Sequence, residues 1–101
     1  MAVGKQYVVL DFPNKHIPAM LFRASCFFDG DSGARDAAVA WSPDALGALK
    51  MACAEAAQSG WAPTEFHIKP SALKKINGVV DSLTDDPGSP VFGLPVVIRE
   101  T

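Results

Sequence analysis

The sequence predicts an α+β domain. The expected form is a mainly antiparallel sheet of about five strands in the order β-β-β-α-β-α-β, with two helices packed on one face and residues 1–101 forming a single domain. Three observations lead there. Residues 19–41 hold two apolar-rich runs joined by the turn sequence D-G-D-S-G-A, the pattern of a hairpin. Residues 42–60 hold an alanine-rich stretch with apolar positions three and four apart, the pattern of an amphipathic helix. Residues 64–100 then read as strand, helix, turn-rich loop and strand, closing on V-V-I-R-E.

Residues 6–12 form the first strand. Tyr7, Val8, Val9 and Leu10 favour extended backbone, and so continuous an apolar run suits a strand covered on both sides. Pro13 has no N–H for a ladder and ends it. Residues 13–18 connect onward, held extended by Pro13 and Pro18, and carry His16. Residues 19–28 form the second strand. Met20, Phe22, Ala24, Cys26 and Phe28 share one apolar face, while Leu21, Arg23, Ser25 and Phe27 share a mixed one. The turn at 29–34 supplies Asp and Gly for side-chain bonding and positive φ. Residues 35–41 return as the third strand.

Ser42, Pro43 and Asp44 open the first helix as cap, first residue and acidic complement to the dipole. Leu46, Leu49, Cys53 and Ala56/Ala57 are its buried stripe, and Gly60 closes it. Trp61 either packs back on the helix end or stands exposed as an interaction anchor; packing is favoured. Residues 65–69 are the fourth strand, with Phe66 and Ile68 on one face and Glu65, His67 and Lys69 on the other, so His67 is expected at the surface. Pro70 begins the second helix, whose stripe Leu73, Ile76, Val80 and Leu83 stays in phase across Asn77-Gly78, so the helix is expected to continue through them. Residues 84–90 offer nothing apolar to bury and read as a flexible surface loop. Pro95 then leads into the last strand. If the fourth strand, second helix and fifth strand form a parallel crossover, it is right-handed.

With 49% hydrophobic residues and a mean hydropathy of +0.14 there is material for one core. A domain this small still hides roughly 60–65% of its extended-chain surface. A net charge of −2 and a pI near 5.5 argue against nucleic-acid binding through bulk electrostatics, and Lys69, Lys74 and Lys75 read as a solvated face. No apolar run approaches the roughly 18 residues of a membrane helix. The N-terminus lacks the apolar core and cleavage site of a signal peptide, so a cytoplasmic location is expected.

The chemistry-bearing residues do not form a motif. Cys26 and Cys53 belong to no C-x-x-C pair and are expected as buried reduced thiols, a disulfide or a reactive thiol being the alternatives. Asp29 and Asp31 begin like a calcium loop, but the twelfth position would be Ala40 rather than a bidentate Glu, so no metal site is expected. There is no G-x-S-x-G and no phosphate-cradling glycine motif, and no cofactor or catalytic residue is assigned. Should one sheet face stay open, Leu21, Phe27, Trp41 and Phe92, with Trp61 as the possible anchor, are the candidate interaction surface.

One part of the chain resembles a known family. F-H-I-K-P-S-A-L-K-K-I, then D-D-P-G, then F-G-L-P-V-V-I is similar to a pattern in the major capsid proteins of tailed phages, where a strand leads through a turn into a helix, a variable loop and a strand beginning G-x-P-V-V. Pro70, Leu73, Asp86, Gly88, Gly93, Pro95, Val96 and Val97 carry the match, which covers about a third of the chain. The resemblance implies a small phage- or prophage-encoded virion or assembly component, placed in host cytoplasm or virion, and it identifies no catalytic residue. The leading expectation is therefore a non-enzymatic protein that binds a protein partner or itself. Two alternatives stand beside it. One is a small enzyme or ligand-binding domain using His16, His67 or Cys26. The other is a phage-encoded inhibitor of a host system, presenting Asp81, Asp85, Asp86 and Glu65 as one acidic face.

Overall fold

The strand that begins the chain lies in the middle of the sheet. A computed structural model describes residues 5–13, 21–30 and 33–100. Its elements are β1 (Lys5–Asp11), β2 (Phe22–Gly30), β3 (Gly33–Ser42), α1 (Ala45–Ala57), β4 (Glu65–Ile68), α2 (Pro70–Lys75), α3 (Asp81–Thr84) and β5 (Val96–Ile98). The five strands form one sheet in the order β3-β2-β1-β4-β5. The α+β class and the five strands are as expected. His16, Met20 and the turn residues Asp31 and Ser32 lie outside the described residues.

The sheet is mixed. β1 pairs antiparallel with β2, and β2 with β3. β1 pairs parallel with β4, and β4 with β5. The parallel half arises because each connection to β4 and β5 carries helix, which brings the chain back to the end of the sheet where the preceding strand began. Central placement explains the unbroken apolar run of β1: Val8 and Leu10 are fully buried towards the helices, and Val9 on the opposite face is also buried.

Val8, Leu10, Ala24, Cys26, Ala38, Ala40, Phe66 and Ile68 form the sheet side of the core. α1 lies on it through Ala45, Ala48, Leu49, Ala52, Cys53 and Ala56. Ala48, Ala52 and Ala56 are fully buried at four-residue spacing, so the alanines are the contact face itself, and Leu46 is only half-buried. Small side chains let the helix approach the sheet closely. The helix starts later than expected. Asp44, not Ser42, is the cap: its Oδ2 accepts from the Gly47 N–H over 2.9 Å, while the Ser42 hydroxyl accepts from the Asp44 N–H.

The second helix does not run through Gly78. It stops at Lys75, and Asn77 and Gly78 both take positive φ, 56° and 72°. The Gly78 N–H bonds back to the Leu73 carbonyl and that of Asn77 to the Lys74 carbonyl, which is the Schellman stop. The apolar stripe stayed in phase because two short helices share it: Leu73, Ile76 and Val80 flank the core and Leu83 is buried in it. Residues 84–90 also depart from expectation. They fold into hydrogen-bonded turns with Thr84 and Ser89 buried. The Gly93 N–H donates to the Thr84 carbonyl, and the Ser89 hydroxyl accepts from Val91.

Candidate functional site: the open sheet face and the β5 edge

The helices occupy one face of the sheet, and the other face carries two ordered rows of side chains. The first is aromatic. Tyr7 of β1 stands opposite Phe27 of β2, with ring centroids 5.3 Å apart and stacked. On its other side Tyr7 stacks on His67 of β4 at 4.5 Å. His67 was expected at the surface, but 14% of its side chain is exposed. Its cover comes from Tyr7 and Arg99, residues far away in sequence.

The partners of His67 fix its tautomer. Arg99 Nη1 lies 3.1 Å from Nδ1. A guanidinium can only donate, so Nδ1 is the acceptor and Nε2 carries the hydrogen. Nε2 donates to Glu65 Oε1 over 2.8 Å. That hydrogen bond, aided by Lys5 3.6 Å from the other carboxylate oxygen, holds the Glu65 carboxyl below the usual glutamate range.

The second row runs across the sheet from β3 to the residues just past β4 and β5. Trp41 pairs with Arg23, and Arg23 with Asp11. The Lys69 N–H donates to the Leu10 carbonyl and the Arg99 N–H to the Ile68 carbonyl, which carries the row on to Lys69 just past the end of β4 and Arg99 just past the end of β5. Arg23 grips both oxygens of the buried Asp11, its Nε donating over 3.0 Å, and its guanidinium carbon lies 5.3 Å from the Trp41 ring centre. Between the two rows is a cavity of about 210 Å³ lined by Tyr7, Val9, Asp11, Arg23, Ser25, Phe27, Lys69 and Arg99.

The second feature is the β5 edge. The Phe66 N–H donates to the Pro95 carbonyl and the Arg99 N–H to the Ile68 carbonyl. Alternation along a parallel strand therefore turns the backbone groups of Val96 and Ile98 outward, where among the described residues the sheet has no further strand. All three β5 side chains are exposed, Ile98 by 51%, and Phe92 just before them by 52%. Val96 and Ile98 stand in register with the buried Phe66 and Ile68, yet they are left open.

The residues marked from sequence fall in separate places. Phe27 is half-buried in the aromatic row and Trp41 is 38% exposed at the end of the charged row. Leu21 is half-buried just ahead of β2. Phe92 adjoins the β5 edge. Trp61 is buried, packed back as favoured, and its Nε1 donates to the Phe27 carbonyl over 3.0 Å. It lines a shallow apolar groove of about 430 Å³ with Cys53, Pro63 and Pro90. Sequence reasoning missed Tyr7, Asp11, Lys69 and Arg99 as site residues, because only strand register brings them together.

Cys26 and Cys53 are free and buried on the helix side. A hydrogen bond to Cys53 and burial push the Cys26 thiol well above its ordinary value, which makes it inert. His67 sits on the opposite face of the sheet, so no Cys26–His67 pair exists. Asp81 and Asp85 are exposed on α3 and just after it, on the helix side, while Glu65 faces the other way. Among the described residues no three His, Cys, Asp or Glu side chains cluster, and no helix is long and apolar enough to cross a membrane.

No family model, no curated protein and no solved structure matches the chain.

Proposed function

We propose that the chain is a small non-enzymatic assembly protein whose β5 edge takes up a second copy of itself by strand addition. The observation that carries the reading is β5. It places three exposed β-branched residues on a sheet edge whose outward backbone groups have no strand beside them. Pairing that edge satisfies those groups and covers part of what is still exposed of Val96 and Ile98, a fraction of the roughly 1.5–3 kcal/mol for burying each side chain outright.

β3 forms the other edge, but its register shift opposite Cys26 and Phe27 is the kind of irregularity that twists an edge away from partners. β5 has no such shift. The capsid-like segment, residues 66–98, ends in β5, which supports a phage-related virion or assembly role acting in the host cytoplasm or the virion.

The test is the light-scattering mass over a concentration series. The wild-type chain is expected to rise above its 10.7 kDa monomer mass. Ile98→Pro removes an outward N–H while leaving the β4 ladder intact, and Val96→Lys charges the edge; both are expected to stay monomeric, with the thermal stability of the dilute monomer retained. A wild-type chain that remains at the monomer mass throughout overturns the reading.

A further inference from the structure

We propose that the cavity on the open sheet face is a binding site for a small planar organic anion, such as an aryl phosphate or aryl carboxylate. The charge row is the first argument. Arg23, Lys69 and Arg99 line the cavity with one carboxylate, Asp11. Both oxygens of Asp11 are already taken by Arg23. Among the described residues neither Lys69 nor Arg99 has a carboxylate within ion-pair distance. Among the described residues two positive charges therefore face one concave surface with no carboxylate in ion-pair reach of either, on a chain whose net charge is −2. A concave site walled by protein concentrates that field.

Placement is the second argument. Lys69 and Arg99 directly follow the last register pair of β4 and β5, Ile68 with Ile98, and the Arg99 N–H donates to the Ile68 carbonyl. Arg99 is held by its Nη1 contact to His67 Nδ1. That contact uses one of its five donors and leaves the rest of the fork for an anion. The anion's place is the Lys69–Arg99 end, since Asp11 repels it from the middle of the row.

Shape is the third. The stacked rings of Tyr7 and Phe27 wall the cavity and the buried Val9 floors it. They offer apolar surface to a flat body beside its charge. A volume of about 210 Å³ lies below the roughly 300–1,000 Å³ of sites for drug-sized ligands, which selects a single ring over a peptide. The site lies within one chain and does not depend on self-association.

The experiment is an NMR titration of the full chain with phenyl phosphate, followed at the Tyr7 and Phe27 rings and the Arg99 side chain. Inorganic phosphate, benzyl alcohol and an oligodeoxythymidylate serve as parallel probes. Saturable shifts of all three residues are expected with phenyl phosphate, weaker binding with inorganic phosphate, and none with benzyl alcohol. Lys69→Gln and Arg99→Gln are each expected to weaken phenyl phosphate about tenfold or more, the worth of a charge-assisted hydrogen bond. Lys74→Gln, outside the cavity, is the control and should change nothing. Unshifted Tyr7 and Phe27 rings up to the solubility limit, or equal affinity in wild type and Lys69→Gln, would overturn the proposal. So would binding of the oligonucleotide to this face far more tightly than phenyl phosphate, which would assign the face to single-stranded nucleic acid. Because the site lies within one chain and the readout is shifts of its own lining residues, a negative result here leaves the β5 reading standing.

Discussion

The indole Nε1 of Trp61 donates to the carbonyl oxygen of Phe27 over 3.0 Å, at the step where β2 shifts register against β3. The shift leaves room for a bond other than a ladder bond, and Trp61 arrives from 34 residues further along the chain to make it. The bond ties the end of α1 to the middle of the sheet. Trp61→Phe keeps most of the apolar volume and leaves the carbonyl unpaired, so a loss of about 1–3 kcal/mol is expected in urea unfolding. Trp61→Ala adds a cavity and should lose about 3–5 kcal/mol.

Asp11 and Arg23 form the second test. Asp11 is the more buried partner, with 7% of its side chain exposed against 35% for Arg23. Removing Arg23 strands a buried carboxylate, whereas removing Asp11 strands a cation that water still reaches. Arg23→Met is therefore expected to cost more than Asp11→Leu. The cost lies nearer about 3 than 5 kcal/mol, because water reaching the half-buried guanidinium screens the pair. The double variant should recover about 1–3 kcal/mol of the summed loss. Equal single costs with additive behaviour would contradict the pair.

Gly78 tests the helix stop. A methyl group there meets nothing within 4 Å, so the penalty for Gly78→Ala comes from its φ of +72° alone. A cost of about 1–2 kcal/mol is expected. That corresponds to a fall in Tm of about 4–8 °C per kcal/mol for a domain of this length. Asn77→Gly, at φ 56°, should stay within a few tenths of a kcal/mol.

Glu65 gives the pH test. Its carboxyl is held below the ordinary value by His67 first and by Lys5 next. A group whose folded value is depressed contributes stability above the unfolded value, about 4.3 for Glu, and loses it as pH falls through the folded value. Thermal stability of the wild type should therefore decline as pH drops from about 5 towards 3. His67→Leu removes the main cause and should flatten that part of the curve. An unchanged acid limb in His67→Leu would contradict the assignment.

What the sequence showed and hid follows from how far apart the interacting residues lie. The β2–β3 hairpin was legible because its turn and its alternation are local. The close seat of α1 was legible in its alanines. The helix stop at Asn77-Gly78 was not, because two short helices preserve one stripe and periodicity cannot tell them from a single helix. The burial of His67 depends on Tyr7, 60 positions earlier, and Arg99, 32 later. Nothing near His67 in the chain announces either. The charge row is the extreme case: its members come from β1, β2, β3 and the residues just past β4 and β5, and only the parallel pairing of β1 with β4 brings Lys69 towards Asp11. The β5 strand was legible as V-V-I, but its exposure was not, since apolar β-branched residues ordinarily signal burial.

The most direct measurement of the central claim is amide hydrogen exchange along β5 at several chain concentrations. The Arg99 amide bonds to the Ile68 carbonyl within the chain and should be protected at every concentration. The Val96 and Ile98 amides point to the free edge. They should exchange freely when the chain is dilute and become protected in step with the rise in light-scattering mass. Protection of these two amides that tracks assembly is the result predicted. Free exchange at Val96 and Ile98 in the assembled state would contradict strand addition at β5.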